Sequence, residues 1–218
     1  MANRIIDLSA PLEPATPVYP DYEPFQFSVL ETTEDPPKGR RSLNSSRIAV
    51  GLHCGTHMDA PFHFIPGAPT IDQVPLGQCA GPALLIRLPE HMHGGVIEAD
   101  AIEPYNDQLH QLRKVVLDTG WRRNWGQARY FSEHPLISGE AARFLVACGV
   151  HLIGVDMPSV DRPPFEAHLE FLGNNVVIVE NLVNLEQIQG DVFQLVALPL
   201  KLKAREASPV RAIAMEID

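Results

Sequence analysis

The sequence predicts a mixed α/β fold whose sheet curls toward a barrel, with flanking helices, in a single domain spanning residues 1–218. Three observations predict it. Strand-like segments outnumber helical ones. The two types do not alternate strictly, which argues against a doubly wound parallel sheet. And 218 residues, 45% hydrophobic and 20% charged, can bury one sizeable core, with no internal repeat, linker or charge block to divide it.

The elements follow in order. Arg4–Leu8 (RIIDL) reads as a short strand. Residues 9–24 carry five prolines and read as an ordered, extended loop that holds Tyr19 and Tyr22. Phe25–Thr32 (FQFSVLET) alternates, the pattern of a half-buried strand. Thr33–Ser46 is polar, with Pro36-Pro37 and the basic run Lys38–Arg41. It reads as a surface loop, either a solvated face or a lid over a substrate. Arg47–His53 is expected as a strand, and Phe64–Pro75 as another loop. Ala83–Leu88 is a strand. Glu98–Arg113 has helical character broken by Pro104. Lys114–Gly120 (KVVLDTG) is an apolar strand ending in turn residues, and Gly120–Pro135 holds both tryptophans. Ser138–Gly149 carries the clearest helix signal, with Ser138 as its cap and Gly149 as its stop. His151–Asp156 and Asn175–Asn181 are apolar strands. Val192–Leu202 and Pro209–Ile217 read as two closing strands.

A formal charge of -10 argues against nucleic acid, whose phosphates need clustered Lys and Arg. Three widely spaced cysteines, Cys54, Cys79 and Cys148, suggest neither a disulfide framework nor a CxxC metal site, and fit a reducing cytoplasm. The first twenty residues lack a long apolar run, so neither a signal peptide nor a membrane span is expected.

Ligand chemistry concentrates in Leu52–Phe64, LHCGTHMDAPFHF. Within eleven residues it holds His53, His57, Asp59 and His63. Gly55 lets the backbone bend, and Pro61 keeps Ala60 out of the helical region, so a compact turn is expected. Imidazoles with one carboxylate suit a divalent ion such as zinc or manganese. His63, beyond Pro61, is either a fourth ligand or a general base. The base is preferred, because a catalytic metal needs an open position for water.

Two distant residues are candidates to complete the site. Glu180 interrupts the apolar run VVIVENL, and burying that charge is costly unless it is paired or bound to metal. His168 precedes that strand on what reads as a loop. Cys54 is expected only to pack beside the site. His91, His93, His110, His134 and His151 are scattered and read as surface residues or as residues behind the ligands. A second metal at His91 and His93 is the weaker option.

These residues together resemble the metal-dependent cyclase-like hydrolases, a family that includes bacterial kynurenine formamidases and isatin hydrolases. The resemblance begins with IIDLSAPLEPATPVYP and the metal motif. It continues through LDTGW (Leu117–Trp121), PLISGEAARFL (Pro135–Leu145), GVDMPSVD (Gly154–Asp161), His168 and Glu180, and ends in LVALPLKLKAREASPVRAIA (Leu195–Ala214). It implies a barrel-like mixed fold, usually dimeric, with the site near the subunit interface. It also implies a first zinc on His53, His57 and Asp59, a second on Asp59, His168 and Glu180, and His63 as proton donor and acceptor. Isatin hydrolases use one manganese and an amide where Glu180 stands, so Glu180 points to the two-metal arrangement. There are departures. A Trp-Pro-Gly-Asp run in formamidases is Tyr19-Pro20-Asp21-Tyr22 here, with Tyr19 able to stack on a substrate ring, and PPFEAHLEF (Pro163–Phe171) also differs.

The expected chemistry is hydrolysis of an amide C–N bond, in an aryl formamide such as N-formylkynurenine or a cyclic amide such as isatin. The alternatives are a metal-dependent cyclase or dehydratase, and a non-catalytic metal- or small-molecule-binding protein.

Overall fold

Four apolar segments dictate the middle of the sheet. Runs such as ALLIR, KVVLD, LIGV and VIVE are apolar on both faces, as parallel strands covered on both sides must be. In the computed structural model, which describes residues 4–33, 43–89 and 95–216, they lie side by side. The run Lys38–Arg41 and the pair His91 and His93 lie outside the described residues.

The strands are β1 (Arg4–Asp7), β2 (Gln26–Glu31), β3 (Ser45–Ala49), β4 (His57–Asp59), β5 (Ala80–Arg87), β6 (Val96–Ile97), β7 (Lys114–Asp118), β8 (Leu136–Ile137), β9 (Leu152–Val155), β10 (Val177–Glu180), β11 (Val192–Pro199) and β12 (Ala207–Glu216). The α-helices are α1 (Leu76–Cys79), α2 (Asn106–Leu112), α3 (Gly139–Ala147) and α4 (Glu166–Gly173). The main sheet runs β1-β12-β11-β5-β7-β9-β10-β4. β5, β7, β9 and β10 are parallel; β4, β11 and β12 are joined antiparallel. β4 also pairs with the start of β12, Asp59 opposite Ala207 and His57 opposite Pro209, which closes seven strands into a barrel. The family of folds expected from the sequence is the one found.

Alternation along each strand divides the core in two. Met58, Leu85, Val116, Leu152, Val177, Val179, Leu195, Ala212 and their neighbours come from every strand of the ring and fill the lumen. Leu84, Ile86, Val115, Leu117, Ile153, Val155 and Ile178 face outward, where residues of α2, α3 and α4 cover them. By the same parity, His57, Asp59 and Glu180 face the outer layer, on the side of α4. The site therefore lies between the barrel wall and a helix, outside the lumen.

Four expectations need correction. Phe25–Thr32 does contain a strand, but β2 pairs only with β3, and Gln26–Leu30 are all exposed. Alternation reports a repeating pattern without showing that anything covers the apolar face. The strand expected at Arg47–His53 stops at Ala49; the strand that carries ligands is β4. His168 lies on α4, where a loop was expected. That helix is only eight residues long and follows Pro163-Pro164, so its periodicity is too short to read. His134 is fully buried, its Nδ1 on the Pro135 carbonyl, and burial pushes its pKa down to about 4. Elsewhere the helix signals hold. Ser138 Oγ accepts from the Ala141 N–H at 3.1 Å, and Gly149 ends the helix at φ +78°.

Gly154 of β9 faces the lumen, where a Cβ would stand 2.8 Å from Leu182 Cδ1 and 3.0 Å from Val116 Cγ2. Val116 is β-branched on a central strand and cannot swing aside. Gly154→Ala is expected to destabilise the protein by about 1–3 kcal/mol through overpacking, read as a lower urea midpoint at unchanged slope.

Candidate metal centre

β4 aligns the first group. His57 and Asp59 are two apart on one strand and so share a face, with Met58 between them pointing into the lumen. Glu180, the last residue of β10, stands directly opposite His57 in the antiparallel register. His57 Nε2 lies 3.3 Å from Glu180 Oε2 and 3.5 Å from Asp59 Oδ1. The turn before β4 brings His53 Nδ1 to 2.9 Å from Asp59 Oδ1. The 3-10 turn Pro61–His63 after it places the His63 ring 4.2 Å from that of His53. α4 lowers His168 onto the same point, its Nε2 3.7 Å from Glu180 Oε1 and 4.0 Å from Asp59 Oδ2. All six residues named from the sequence as ligands or base, together with Tyr19, line one cavity of about 260 Å³.

Two imidazoles have their orientation fixed from behind. His57 Nδ1 is 2.9 Å from the Gly55 carbonyl, which can only accept. The proton is therefore on Nδ1, and the Nε2 lone pair faces the carboxylates. Asn181 holds that carbonyl in turn, donating from Nδ2 at 2.9 Å, while the Tyr130 hydroxyl donates to Asn181 Oδ1 at 2.7 Å. Gly55 sits at φ +65° with Leu12 packed where a Cβ would go, so only glycine fits the turn. His168 Nδ1 lies 2.5 Å from Asp161 Oδ1, and Asp161 Oδ2 accepts the Ala167 and His168 backbone N–H groups. One carboxylate thus starts α4 and turns its histidine toward the site. Asp161, Asn181 and Tyr130 were not read as functional. Asp161 lies seven residues before His168, a spacing without meaning until the helix between them is known.

Electrostatics separate these residues from the other buried charges. Asp156 is fully buried too, but its oxygens are met by Thr119 and Arg122. In contrast, His57 Nε2, Asp59 Oδ1 and Glu180 Oε1 are buried without a hydrogen-bond partner. Burial, with the Asp59 carboxylate beside it, pushes Glu180 well above the usual carboxylate range. Asp59 is buried as well, yet the imidazoles of His53 and His57 hold its carboxyl low. Burial and the imidazoles of His53, His168 and His57 push His63 down to about 4, against the pull of Asp59. Buried, unpartnered nitrogen and oxygen lone pairs are what a divalent cation satisfies, and such donors suit zinc or manganese. The residues fit such an ion. Their donor atoms form two sets within 4.8 Å, His53 with His57 and Asp59, and Asp59 with His63 and His168. Asp59 belongs to both sets. Glu180, which the family resemblance implies for the second set, belongs to neither, and His63 stands there instead.

The chain is a closed mixed barrel bearing a His-His-Asp cluster, able to hold a metal ion, between its wall and a short helix. Residues 6–162 match the family model described as "Putative cyclase", and the chain belongs to this Cyclase family. It is 34% identical over 216 residues to a kynurenine formamidase of Bacillus cytotoxicus, covering 97% of each protein. The fold matches isatin hydrolase A from Labrenzia aggregata with a TM-score of 0.86 at 23% identity, over 99% of this chain and 94% of that one. A structure described as a "Potential Metal-Dependent Hydrolase With Cyclase Activity" matches at 0.80 and 26% identity, over 100% of both chains.

Asn181 occupies the left-handed region at φ +61°, which asparagine adopts at lower cost than alanine. Asn181→Ala is expected to strand the Tyr130 hydroxyl and release the Gly55 carbonyl, costing about 2–4 kcal/mol in chemical denaturation.

Proposed function

We propose that the protein is a metal-dependent hydrolase of amide C–N bonds, acting on a small aryl formamide or a cyclic amide. One observation carries the reading: donor atoms of His53, His57 and Asp59 lie within 4.8 Å of one another on an aromatic-lined cavity, with His57 Nε2 and Asp59 Oδ1 buried and unpartnered. A formamidase relative that spans nearly the whole chain supports the substrate class.

A divalent ion on His53, His57 and Asp59, with His168 and Glu180 able to hold a second, would polarise the substrate carbonyl and lower the pKa of water toward about 7. Zinc is the proposed ion and manganese the alternative, given three imidazoles and two carboxylates. His63 is the base. Its depressed pKa leaves it neutral near pH 7, with a lone pair free to take the proton of the attacking water. It then returns that proton to the departing nitrogen, so amide and water become acid and amine. Phe64 and Phe165, 5.2 Å apart, form one wall for an aromatic substrate. Tyr19, 4.6 Å from Phe131, forms another, and burial pushes its hydroxyl pKa up, so it stays a neutral donor.

We also propose a homodimer in the cytoplasm. Among the described residues the β2–β3 pair joins no other strand, and it exposes Phe27, Val29, Leu30 and Ile48, an apolar patch that monomers rarely leave open. All three cysteines are free and buried, which suits a reducing compartment.

Treatment with a chelator is expected to abolish hydrolysis of formanilides or isatin, and zinc or manganese to restore it. Turnover indifferent to both treatments would sink the proposal. His63→Ala is expected to retain its metal, measured by elemental analysis, while kcat falls by roughly 100-fold or more. Loss of the metal along with activity would make His63 a ligand instead.

A further inference from the structure

The cavity is acidic at its metal end, yet one permanent cation faces it. Arg162 is the only Arg or Lys among the described residues that line the pocket, whose carboxylates are Asp21, Asp59, Asp161 and Glu180. None of them pairs with it. Both Asp161 oxygens are taken by His168 and by the start of α4. Asp59 and Glu180 face the histidines. The guanidinium is held by one edge only: Nη1 donates to the Ser132 carbonyl at 2.5 Å. Nε is buried without an acceptor, and Nη2 has none among the described residues. The free Nε–Nη2 edge has the fork geometry that matches a carboxylate in two parallel hydrogen bonds. A guanidinium keeps its charge at any working pH, and with Nε buried and lacking an acceptor, an anion that enters the cavity fits this edge.

We propose that Arg162 reads a carboxylate on the substrate, and that the substrate class is a small aryl amide whose ring bears an acidic group. This rests on the amide-hydrolase reading above. The cavity, about 260 Å³, falls below the usual range of small-molecule pockets, which favours a single substituted ring. Phe64 and Phe165 take the ring, the metal end takes the amide, and Arg162 takes the acid. Because the chain carries a charge of -10, an anionic substrate needs such a local counter-charge to enter. Specificity follows from loss as well as gain: a neutral analogue leaves the buried Arg162 Nε without an acceptor.

The test compares 2-formamidobenzoate with formanilide on metal-replete wild type, Arg162→Gln and Arg162→Lys, with melting curves to confirm folding. The wild type is expected to favour the acid. Arg162→Gln is expected to raise KM for the acid about 10-fold or more while leaving formanilide within about twofold, and Arg162→Lys to recover part of the loss. Equal losses on both substrates, or no wild-type preference, overturn the proposal. Calorimetric titration with anthranilate and aniline reads the same contact without turnover. Anthranilate is expected to bind wild type about 10-fold more tightly than Arg162→Gln, and aniline to bind both alike. If neither formamide is cleaved but that difference persists, the hydrolase reading fails and the anion site stands. If anthranilate binds both proteins equally, the anion site falls.

Discussion

Two carboxylates and the lone pairs of facing imidazoles, all withdrawn from water, require a positive charge between them. That requirement organises the rest of the molecule. Burial, with the Asp59 carboxylate nearby, pushes the Glu180 pKa up, and no Arg or Lys among the described residues pairs with it. His57 gives its Nδ1 proton to the Gly55 carbonyl, so the neutral ring presents its Nε2 lone pair to the carboxylates. His168 is buried, yet the Asp161 hydrogen bond and the Glu180 carboxylate raise its pKa. The backing hydrogen bonds thus orient both rings toward the site.

The fold meets this requirement with little structure. A three-residue strand places His57 and Asp59 on the outer face, and antiparallel pairing sets Glu180 opposite. Short turns on either side of β4 contribute His53 and His63, and a two-turn helix lowers His168 from the covering layer. The parallel strands behind it, packed on both faces by aliphatic side chains, supply the rigidity. The site residues thus stand on or beside the packed wall of the barrel.

Much of this was legible in the sequence, for identifiable reasons. Parallel strands are apolar throughout, so β5, β7, β9 and β10 stand out even though their partners do not. The ligand-rich segment is conspicuous because a tight turn brings close neighbours together without help from distant chain. Glu180 is visible as a charge among aliphatic residues. Other features hide because their logic is tertiary. β4 is too short for any periodicity and looks like part of a turn. His168 reads as a loop residue because the group that takes its helix's first N–H donors, Asp161, lies across a proline pair. Arg162 has no local signature at all; its meaning depends on which carboxylates around it are already occupied.

The pairing of β4 with both β10 and β12 has a further consequence. These three residues are the suture of the barrel, joining chain at position 57 to chain near 180 and 208. His57 and Asp59 sit on that suture, and Glu180 stands across it. A cation held there would bind the closed ring and so would add to its stability. The candidate metal centre and the clasp of the barrel are the same short strand.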